Sequence, residues 1–234
     1  MMSKFETPLI ECSNISKFYA PERALDHLNL TITAGEHLLI VGPNGSGKST
    51  LINIIGGLIR PTKGTVHING VNIHKASPET RNSIGIQTHN PFLYDDLTGK
   101  ENLIFFGKLF GIPDIQSKIA ETASLLKINH ILDRRAASLS HGNRKRLGFA
   151  RTILHNPDII LLDEPDSGLD SDSLIDLRET LAKELDNKTI LLTTHNVNWA
   201  LPLATSILVL GNHNQTIKMP PAEYASLQDT KQKL

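Results

Sequence analysis

The chain has 234 residues with 24 basic and 24 acidic side chains, so its formal charge at pH 7 is 0 with the histidines neutral. This balance argues against a dedicated nucleic-acid or anionic-membrane binder, which usually carries a basic excess. Hydrophobic residues make up 39% of the chain and charged residues 21%, as in an ordinary globular protein, which excludes a disordered chain. The length suits one large domain or two small lobes that share a site.

The sequence also predicts the compartment. The single cysteine, Cys12, cannot form an internal disulfide, which favours a reducing compartment. The first 30 residues contain no apolar block typical of a signal peptide, and no apolar stretch approaches the ~18 residues of a spanning helix. We therefore expect a soluble, cytoplasmic protein that takes any membrane role from a partner.

The first half of the chain predicts strands around one glycine-rich loop. Residues 28–33 alternate in polarity, which indicates a half-buried antiparallel strand. Residues 38–41 form a continuous apolar run before the loop, as in a parallel strand buried on both faces. After the loop, Leu51, Ile54, Ile55 and Leu58 recur at helical spacing, and Gly56-Gly57 and Arg60-Pro61 are predicted to end this helix. Further strands are predicted at 65–73 and 84–86.

The second half predicts a helical region followed by more strands. From about Leu97 to Leu139 the pattern is helical, with a break at 111–114 and a second helix over 120–132. Strands are predicted at 158–163, 189–194 and 206–210, with a helix over 173–185 that Asp170 or Ser171 can cap. Strand–helix alternation interrupted by a helical insertion predicts an α/β core with a small helical lobe.

Residues 42–50 match the phosphate-loop pattern GxxxxGK[ST] between the buried strand and the amphipathic helix. Glycines let the backbone turn its N–H groups toward a phosphate, and the following helix points its positive end at the same anion. Lys48 would neutralise the β- and γ-phosphates, and the Ser49 hydroxyl would bind Mg²⁺. The expected nucleotide contacts in this loop are Gly42, Asn44, Gly45, Gly47, Lys48, Ser49 and Thr50.

A buried strand at 159–162 ends in two carboxylates, Asp163 and Glu164. At the end of such a strand, Asp163 can hold Mg²⁺, and Glu164 can orient or deprotonate the attacking water. Alone, the pair would be read as an ordinary exposed acidic end of a strand. The phosphate loop earlier in the chain favours the functional interpretation.

Together these motifs resemble the ATP-binding-cassette (ABC) ATPases over nearly the whole chain. Residues 139–143, Leu-Ser-His-Gly-Asn, resemble the family's signature, usually LSGGQ, and residues 167–170, Ser-Gly-Leu-Asp, resemble its D-loop. His195 resembles the switch histidine, and Tyr19 the aromatic residue that stacks on adenine. The order and spacing of these motifs are those of the family.

The resemblance implies a head-to-tail dimer with two-fold symmetry. Ser140 and the Gly142 N–H would cover the γ-phosphate held by the phosphate loop of the opposite subunit, which is either a second copy or a related ATPase subunit. His195 would contact the γ-phosphate, and Asp170 would link the two sites. Hydrolysis of ATP would then release the closed dimer.

Two motifs depart from the family pattern. His141 and Asn143 replace the commonest Gly and Gln of the signature, while Ser140 and Gly142 are retained. The expected Q-loop glutamine is replaced by His89 or Asn90, between which the sequence does not choose. Asn90 can still offer an amide oxygen to Mg²⁺ or water.

The resemblance also implies a role in transport. Asp96-Leu97-Thr98 followed by Glu101-Asn102-Leu103, with His89 and an amide residue upstream, resembles the ATPase subunits of haem exporters used in cytochrome c maturation. Only 39 residues follow His195, fewer than the regulatory domain of many importer ATPases needs, so export is expected. The helical lobe would receive cytoplasmic helices of a separate transmembrane permease, which would hold the protein at the inner face of the cell membrane.

The sequence thus predicts one phosphate-loop ABC ATPase domain over 1–234, with a core at 1–86 and 153–234 and a helical lobe at about 87–152. Its expected cofactors are ATP and Mg²⁺. One alternative is a soluble cassette ATPase in translation or DNA maintenance, which usually has two cassettes or a coiled-coil insertion. Another is a regulatory protein with little turnover, against which Asp163, Glu164 and His195 argue. The basic run at 144–146, with Arg151, is interpreted as a solvated helix face, with a salt-bridging role at the subunit or permease contact as the alternative.

Overall fold

The computed structural model describes residues 8–211 and 216–232, in which two β-sheets form the centre of the fold. One sheet is antiparallel, in the order β2-β1-β4-β5, and the other is mixed, in the order β10-β9-β3-β8-β7-β6. The strands, numbered along the chain, are β1 (Ile10–Tyr19), β2 (Glu22–Ile32), β3 (His37–Val41), β4 (Lys63–Ile68), β5 (Val71–Asn72), β6 (Ile84–Gln87), β7 (Ile159–Asp163), β8 (Thr189–Thr193), β9 (Ser206–Leu210) and β10 (Thr216–Met219). This arrangement confirms the predicted mixed sheet and antiparallel subdomain.

Strand β3 lies inside the mixed sheet, between β9 and β8, and is buried on both faces. It runs parallel to β8 on one side and to β9 on the other. Leu38 and Ile40 face the core shared with the antiparallel sheet, whereas Leu39 and Val41 face the core shared with the helical lobe. Alternate side chains of a strand point to opposite faces, so a strand covered on both faces needs a continuous apolar run. The predicted buried strand is therefore confirmed.

The helices surround the mixed sheet and form a small lobe beside it. They are α1 (Lys48–Ile55), α2 (Pro78–Asn82), α3 (Gly99–Leu109), α4 (Ile115–Leu125), α5 (His141–Ile153), α6 (Ser171–Glu179), α7 (Val197–Ala200) and α8 (Pro221–Gln232). Within the described ranges, none is long and apolar enough to cross a membrane.

Side-chain caps define the helices of the predicted lobe. Helix α3 begins with a capping box, in which the Thr98 side chain accepts from the Glu101 N–H and the Glu101 carboxylate accepts from the Thr98 N–H. Asp114 caps α4, and Ser140 caps α5. Helix α3 packs against both α4 and α5, which confirms the small helical lobe.

Two predicted boundaries and one predicted buried residue are wrong, and each error falls at a local turn. Helix α1 ends at Ile55, just before the predicted Gly56-Gly57 stop, and Gly57 adopts φ 72°; Leu58 is therefore 48% exposed instead of on the buried face. The strand predicted over 65–73 is a hairpin, β4 and β5, that turns at Asn69 and Gly70. The helix predicted over 120–132 starts earlier, at the Asp114 cap, and ends at Leu125.

Other features were found only in the structure. Periodicity did not identify β1, β10 or the C-terminal helix α8. Of the two capping candidates before α6, Asp170 accepts a hydrogen bond from the Ser173 N–H at 2.8 Å. The helix then continues as one π-helical turn over Thr180–Glu184, which keeps Leu181 and Leu185 buried.

Candidate functional site

The predicted site residues lie where three parallel strands end. Strands β3, β7 and β8 are neighbours, so their carboxyl ends open on the same edge of the mixed sheet. The phosphate loop follows β3, Asp163 is the last residue of β7, and Thr193 is the last residue of β8. Ligands of open α/β sheets bind at such an edge.

Two positions of the phosphate loop require glycine because the backbone of a neighbouring strand lies very close to them. A Cβ atom on Gly47 would lie 2.3 Å from the Ala24 carbonyl oxygen, and Gly47 has φ 91°. A Cβ atom on Gly42 would lie 2.3 Å from the carbonyl oxygen of Leu210, at the end of β9. The loop is thus held between β2 and β9, which only glycine permits at these positions.

The start of α1 offers donors to an anion. Gly47 is its N-cap residue and provides no side-chain cap, so N–H groups of the first turn depend on another acceptor. The Lys48 ammonium is buried in the loop and donates to the carbonyls of Gly42 and Pro43, both at 2.9 Å. Burial lowers the pKa of Lys48, and the charges of Glu164 and Asp163 oppose that shift. Backbone N–H groups and a lysine therefore converge as a phosphate site requires.

Asp163 joins the loop to the sheet through one carboxylate oxygen. Its Oδ1 accepts a hydrogen bond from Ser49 Oγ at 3.0 Å and another from Thr193 Oγ1 at 2.7 Å. A hydroxyl and a carboxylate oxygen side by side suit Mg²⁺, which binds nucleotides through one or two protein oxygens together with phosphate oxygens. Among the described residues, no group of three or more His, Cys, Asp or Glu side chains is arranged to hold a metal ion by itself. The donor set fits Mg²⁺.

Glu164 and His195 form a pair next to Asp163. The Nε2 atom of His195 lies 2.7 Å from Oε1 of Glu164. Glu164 has φ 51°, an uncommon backbone angle for a residue with a side chain, and its N–H donates to both oxygens of Thr193 at 3.1 Å. Strained backbone held by surrounding contacts is frequent at functional sites. Two sequence-predicted catalytic side chains are therefore in direct contact.

The signature and the D-loop contact each other. Ser140 caps α5 by accepting from the Asn143 N–H at 3.3 Å, and its side chain is exposed. The His141 ring lies against Gly168, where a Cβ atom would come within 2.4 Å of it. Asp170 caps α6, and the hydrogen bond from the Ser173 backbone N–H lowers the pKa of its carboxyl group. In the described part of the chain, Ser140 and Asp170 thus make their side-chain hydrogen bonds within their own helices, and both remain accessible.

Three further predicted residues are exposed. Tyr19 ends β1 with 48% of its surface accessible, and the Lys17 ammonium lies 5.1 Å from its ring centre. Asn90 Oδ1 accepts from the Phe92 N–H at 3.0 Å, so its amide caps a local turn and is not hydrogen-bonded to Ser49 or Asp163. His89 is also exposed.

The sequence analysis did not identify Thr193, and it misplaced two buried basic residues of α5. Thr193 was not singled out, although it lies two residues before His195 at the end of a strand. The solvated face predicted for 144–146 and Arg151 is wrong in two places: Lys145 is 3% exposed and Arg151 is 6% exposed. A run of charged residues is usually solvated, but the inner face of α5 is polar as well as apolar and buries these two side chains.

A family model described as ABC transporter matches residues 25–167. The bacitracin transport ATP-binding protein BcrA of Bacillus licheniformis is 35% identical over 80% of this chain and 61% of its own length. The ABC transporter ATP-binding protein NatA of Bacillus subtilis is 34% identical over 80% of this chain and 78% of its own. The maltose/maltodextrin import ATP-binding protein MalK of Photorhabdus laumondii is 37% identical over 84% of this chain and 54% of its own. Two of these three relatives are therefore much longer than the region matched.

Solved structures agree with the sequence comparisons. A bacterial ABC transporter cassette solved as a dimer superposes with a TM-score of 0.79 at 29% identity, over 91% of this chain and 98% of that one. An ATP-binding subunit of an ABC transporter gives a TM-score of 0.84 at 25% identity, over 94% of this chain and 93% of that one. The chain therefore belongs to the family of ABC transporter ATPase domains, whose members bind and hydrolyse ATP.

Proposed function

We propose that this chain is the ATP-hydrolysing subunit that drives a separate transmembrane permease, with the phosphate loop, Asp163 and Glu164 as its catalytic centre. The observation that carries the proposal is the hydrogen bond from Ser49 Oγ to Asp163 Oδ1. This bond joins the phosphate loop to the end of β7, next to Glu164. The loop glycines, Asn44 and Thr50 would cradle the phosphates with their backbone N–H groups. Tyr19 would stack on the adenine.

Each side chain has a distinct task in hydrolysis. Lys48 would release the carbonyls of Gly42 and Pro43 to bind the β- and γ-phosphates. Ser49 and Asp163 would hold Mg²⁺, which would neutralise charge on the transferred phosphoryl group; Asn90 remains the candidate for a further oxygen donor. Glu164 would accept a proton from the attacking water, and His195, already paired with it at 2.7 Å, would hold its carboxylate in position beside the γ-phosphate.

A second copy would complete the site. Ser140 and Gly142 stand at the exposed start of α5, where N–H groups of the first helical turn favour an anion. We propose that they cover the γ-phosphate bound by the opposite subunit, with Asp170 linking the two sites. The dimeric cassette among the similar structures supports this arrangement. The partner would be the same chain or a related ATPase subunit.

An exposed aromatic patch on the helical lobe is our candidate for the permease contact. Phe92, Tyr94 and Phe105 are each 41–50% exposed, and the Tyr94 and Phe105 rings meet edge to face at 4.9 Å. Contiguous exposed apolar surface of this kind marks interaction sites. Phe92 and Tyr94 lie in the segment between β6 and α3, and Phe105 lies on α3. Strand β6 pairs with β7, which carries Asp163 at its end. A permease helix docked on the aromatic patch would place the protein at the inner face of the membrane.

Export is the direction that we propose, and haem export for cytochrome c maturation is its most specific form, both from the sequence resemblance. The relatives include one named for bacitracin transport and one named for maltose import. Direction therefore has to be measured on the assembled transporter, by following substrate across vesicles that contain the permease.

Lys48→Ala is expected to weaken ATP binding at least about 100-fold, because the phosphates lose the only lysine in the loop. Equilibrium titration with a fluorescent ATP analogue measures this. Lys118→Ala removes a partly exposed lysine of the helical lobe that pairs with Glu121, and this variant should bind ATP like the unmodified protein. A folded Lys48→Ala variant with unchanged affinity would contradict the phosphate-loop assignment.

Glu164→Gln is expected to keep ATP binding, to slow hydrolysis by roughly 10²- to 10⁴-fold, and to accumulate the ATP-bound dimer. The reason is that an amide cannot accept the proton of the attacking water. Phosphate release and sedimentation with ATP and Mg²⁺ measure the two effects. The matched control is Glu121→Gln on the helical lobe, which should retain full turnover. Unchanged turnover in Glu164→Gln would remove Glu164 from catalysis.

Tyr94→Glu and Phe105→Glu are expected to reduce permease recovery about tenfold, because each places a charge in the aromatic patch. The tagged chain is purified from detergent-solubilised membranes, and the associated membrane protein is quantified. Ile175→Glu alters an equally exposed apolar residue on α6 and should leave recovery unchanged. Recovery of ribosomes or DNA with no membrane protein would overturn the transporter proposal.

A further inference from the structure

Lys145 is the one member of the basic run at 144–146 that turns into the protein. Arg144 pairs with Asp95 at 2.6 Å, and Arg146 pairs with Asp176 at 2.8 Å. Lys145 between them is 3% exposed. A buried lysine is costly unless its ammonium group has partners, so these partners indicate what it does.

Lys145 connects the helical lobe to the end of the catalytic strand. Its Nζ atom donates to the carbonyl oxygen of Glu164 at 2.6 Å. Its own carbonyl accepts from Nε2 of Gln87 at 3.0 Å, where Gln87 is the last residue of β6. One buried residue of α5 is therefore hydrogen-bonded to the ends of both β6 and β7.

Glu164 needs such support because of its backbone. Its φ of 51° lies in the left-handed region, which costs free energy for a residue with a side chain. The N–H group is held by Thr193, and the carbonyl accepts from Lys145 and from the Ser167 N–H at 3.2 Å. The direction of the carboxylate toward His195 depends on this turn.

The surrounding carboxylates favour the charged form of the buried lysine. Burial lowers the pKa of Lys145, and the negative charges of Asp166, Glu164 and Asp163 oppose that shift. Removing the ammonium would therefore take one buried positive charge away from these carboxyl groups and leave the Glu164 carbonyl without its charged donor.

We propose that Lys145 is a positioning residue for ATP hydrolysis, which fixes the backbone of Glu164 and thereby aims its carboxylate at the attacking water. The proposal rests on the catalytic role proposed for Glu164. The Lys145 ammonium donates to the backbone carbonyl of Glu164, and the proposal assigns it to the turn that carries the carboxylate. It acts through Glu164 and not on ATP.

A neighbouring cavity permits a conservative replacement. A cavity of about 220 Å³ lies between the lobe and α6, and its lining includes Gln87, Lys145, Phe149 and Leu177. An arginine at position 145 can extend into this space, keep its charge and donate to the Glu164 carbonyl. Methionine has a similar length but no donor.

The test compares steady-state ATP hydrolysis in single and double variants. Lys145→Met should lower kcat about 10- to 100-fold while KM for ATP changes less than about threefold. The reason is that the lost hydrogen bond positions Glu164, the proposed base, and does not contribute to ATP binding. Lys145→Arg should restore kcat to within about threefold of the unmodified protein. Lys127→Met, an exposed lysine at the rim of the same cavity, should leave kcat and KM unchanged. If Lys145→Met does not fold, as judged by thermal unfolding, Lys145→Leu takes its place.

The double variant separates this inference from the proposed function. In the Glu164→Gln background, Lys145→Met should cause no further loss, because the residue through which it acts is already inactive. Two results would overturn the positioning role alone. One is full turnover in Lys145→Met; the other is a loss of kcat from Lys145→Met that is as large in the Glu164→Gln background as in the unmodified protein. Full turnover in Glu164→Gln would instead overturn the proposed catalytic centre.

Discussion

One carboxylate oxygen holds the site together. Asp163 Oδ1 receives hydrogen bonds from Ser49, at the start of α1, and from Thr193, at the end of β8. Hydrogen bonds to a charged group contribute about 1.5–3 kcal/mol each, so this one atom fixes the start of a helix against two strands. The phosphate loop, the proposed metal ligands and the turn at Glu164 all take their positions from that junction.

The contacts beyond this junction tie the turn at Glu164 to the lobe that would meet the permease. Lys145 of α5 donates to the Glu164 carbonyl, and Gln87 of β6 donates to the Lys145 carbonyl. The Arg151 guanidinium lies 5.2 Å from the Phe106 ring and 5.7 Å from the Phe92 ring, and it donates to the Ile86 carbonyl of β6 at 2.6 Å. A displacement of the lobe would therefore reach both β6 and the proposed base.

The sequence predicted the core and the phosphate loop because both depend on local patterns. A continuous apolar run followed by GxxxxGK[ST] requires a buried strand, a glycine loop and a helix in that order. It did not predict Lys145 or Thr193, since their roles arise from contacts with residues 19 and 30 positions away along the chain. The start of α4 was misplaced because a single cap, Asp114, decides that boundary, and Leu58 was placed on the buried face although Gly57 turns the chain before it.

The central claim is that each nucleotide site combines the phosphate loop of one copy with the signature of another. Mixing two variants tests it: Lys48→Ala disables the loop, and Gly142→Asp adds a repelling carboxylate at the start of α5, where a Cβ atom fits 3.4 Å from the Gly168 oxygen. Each variant alone should be inactive, whereas mixed dimers keep one intact site. An equal mixture should recover about a quarter of the normal ATP hydrolysis if pairing is random and the sites turn over independently. Inactivity at every ratio, with mixed dimers present, would contradict the claim.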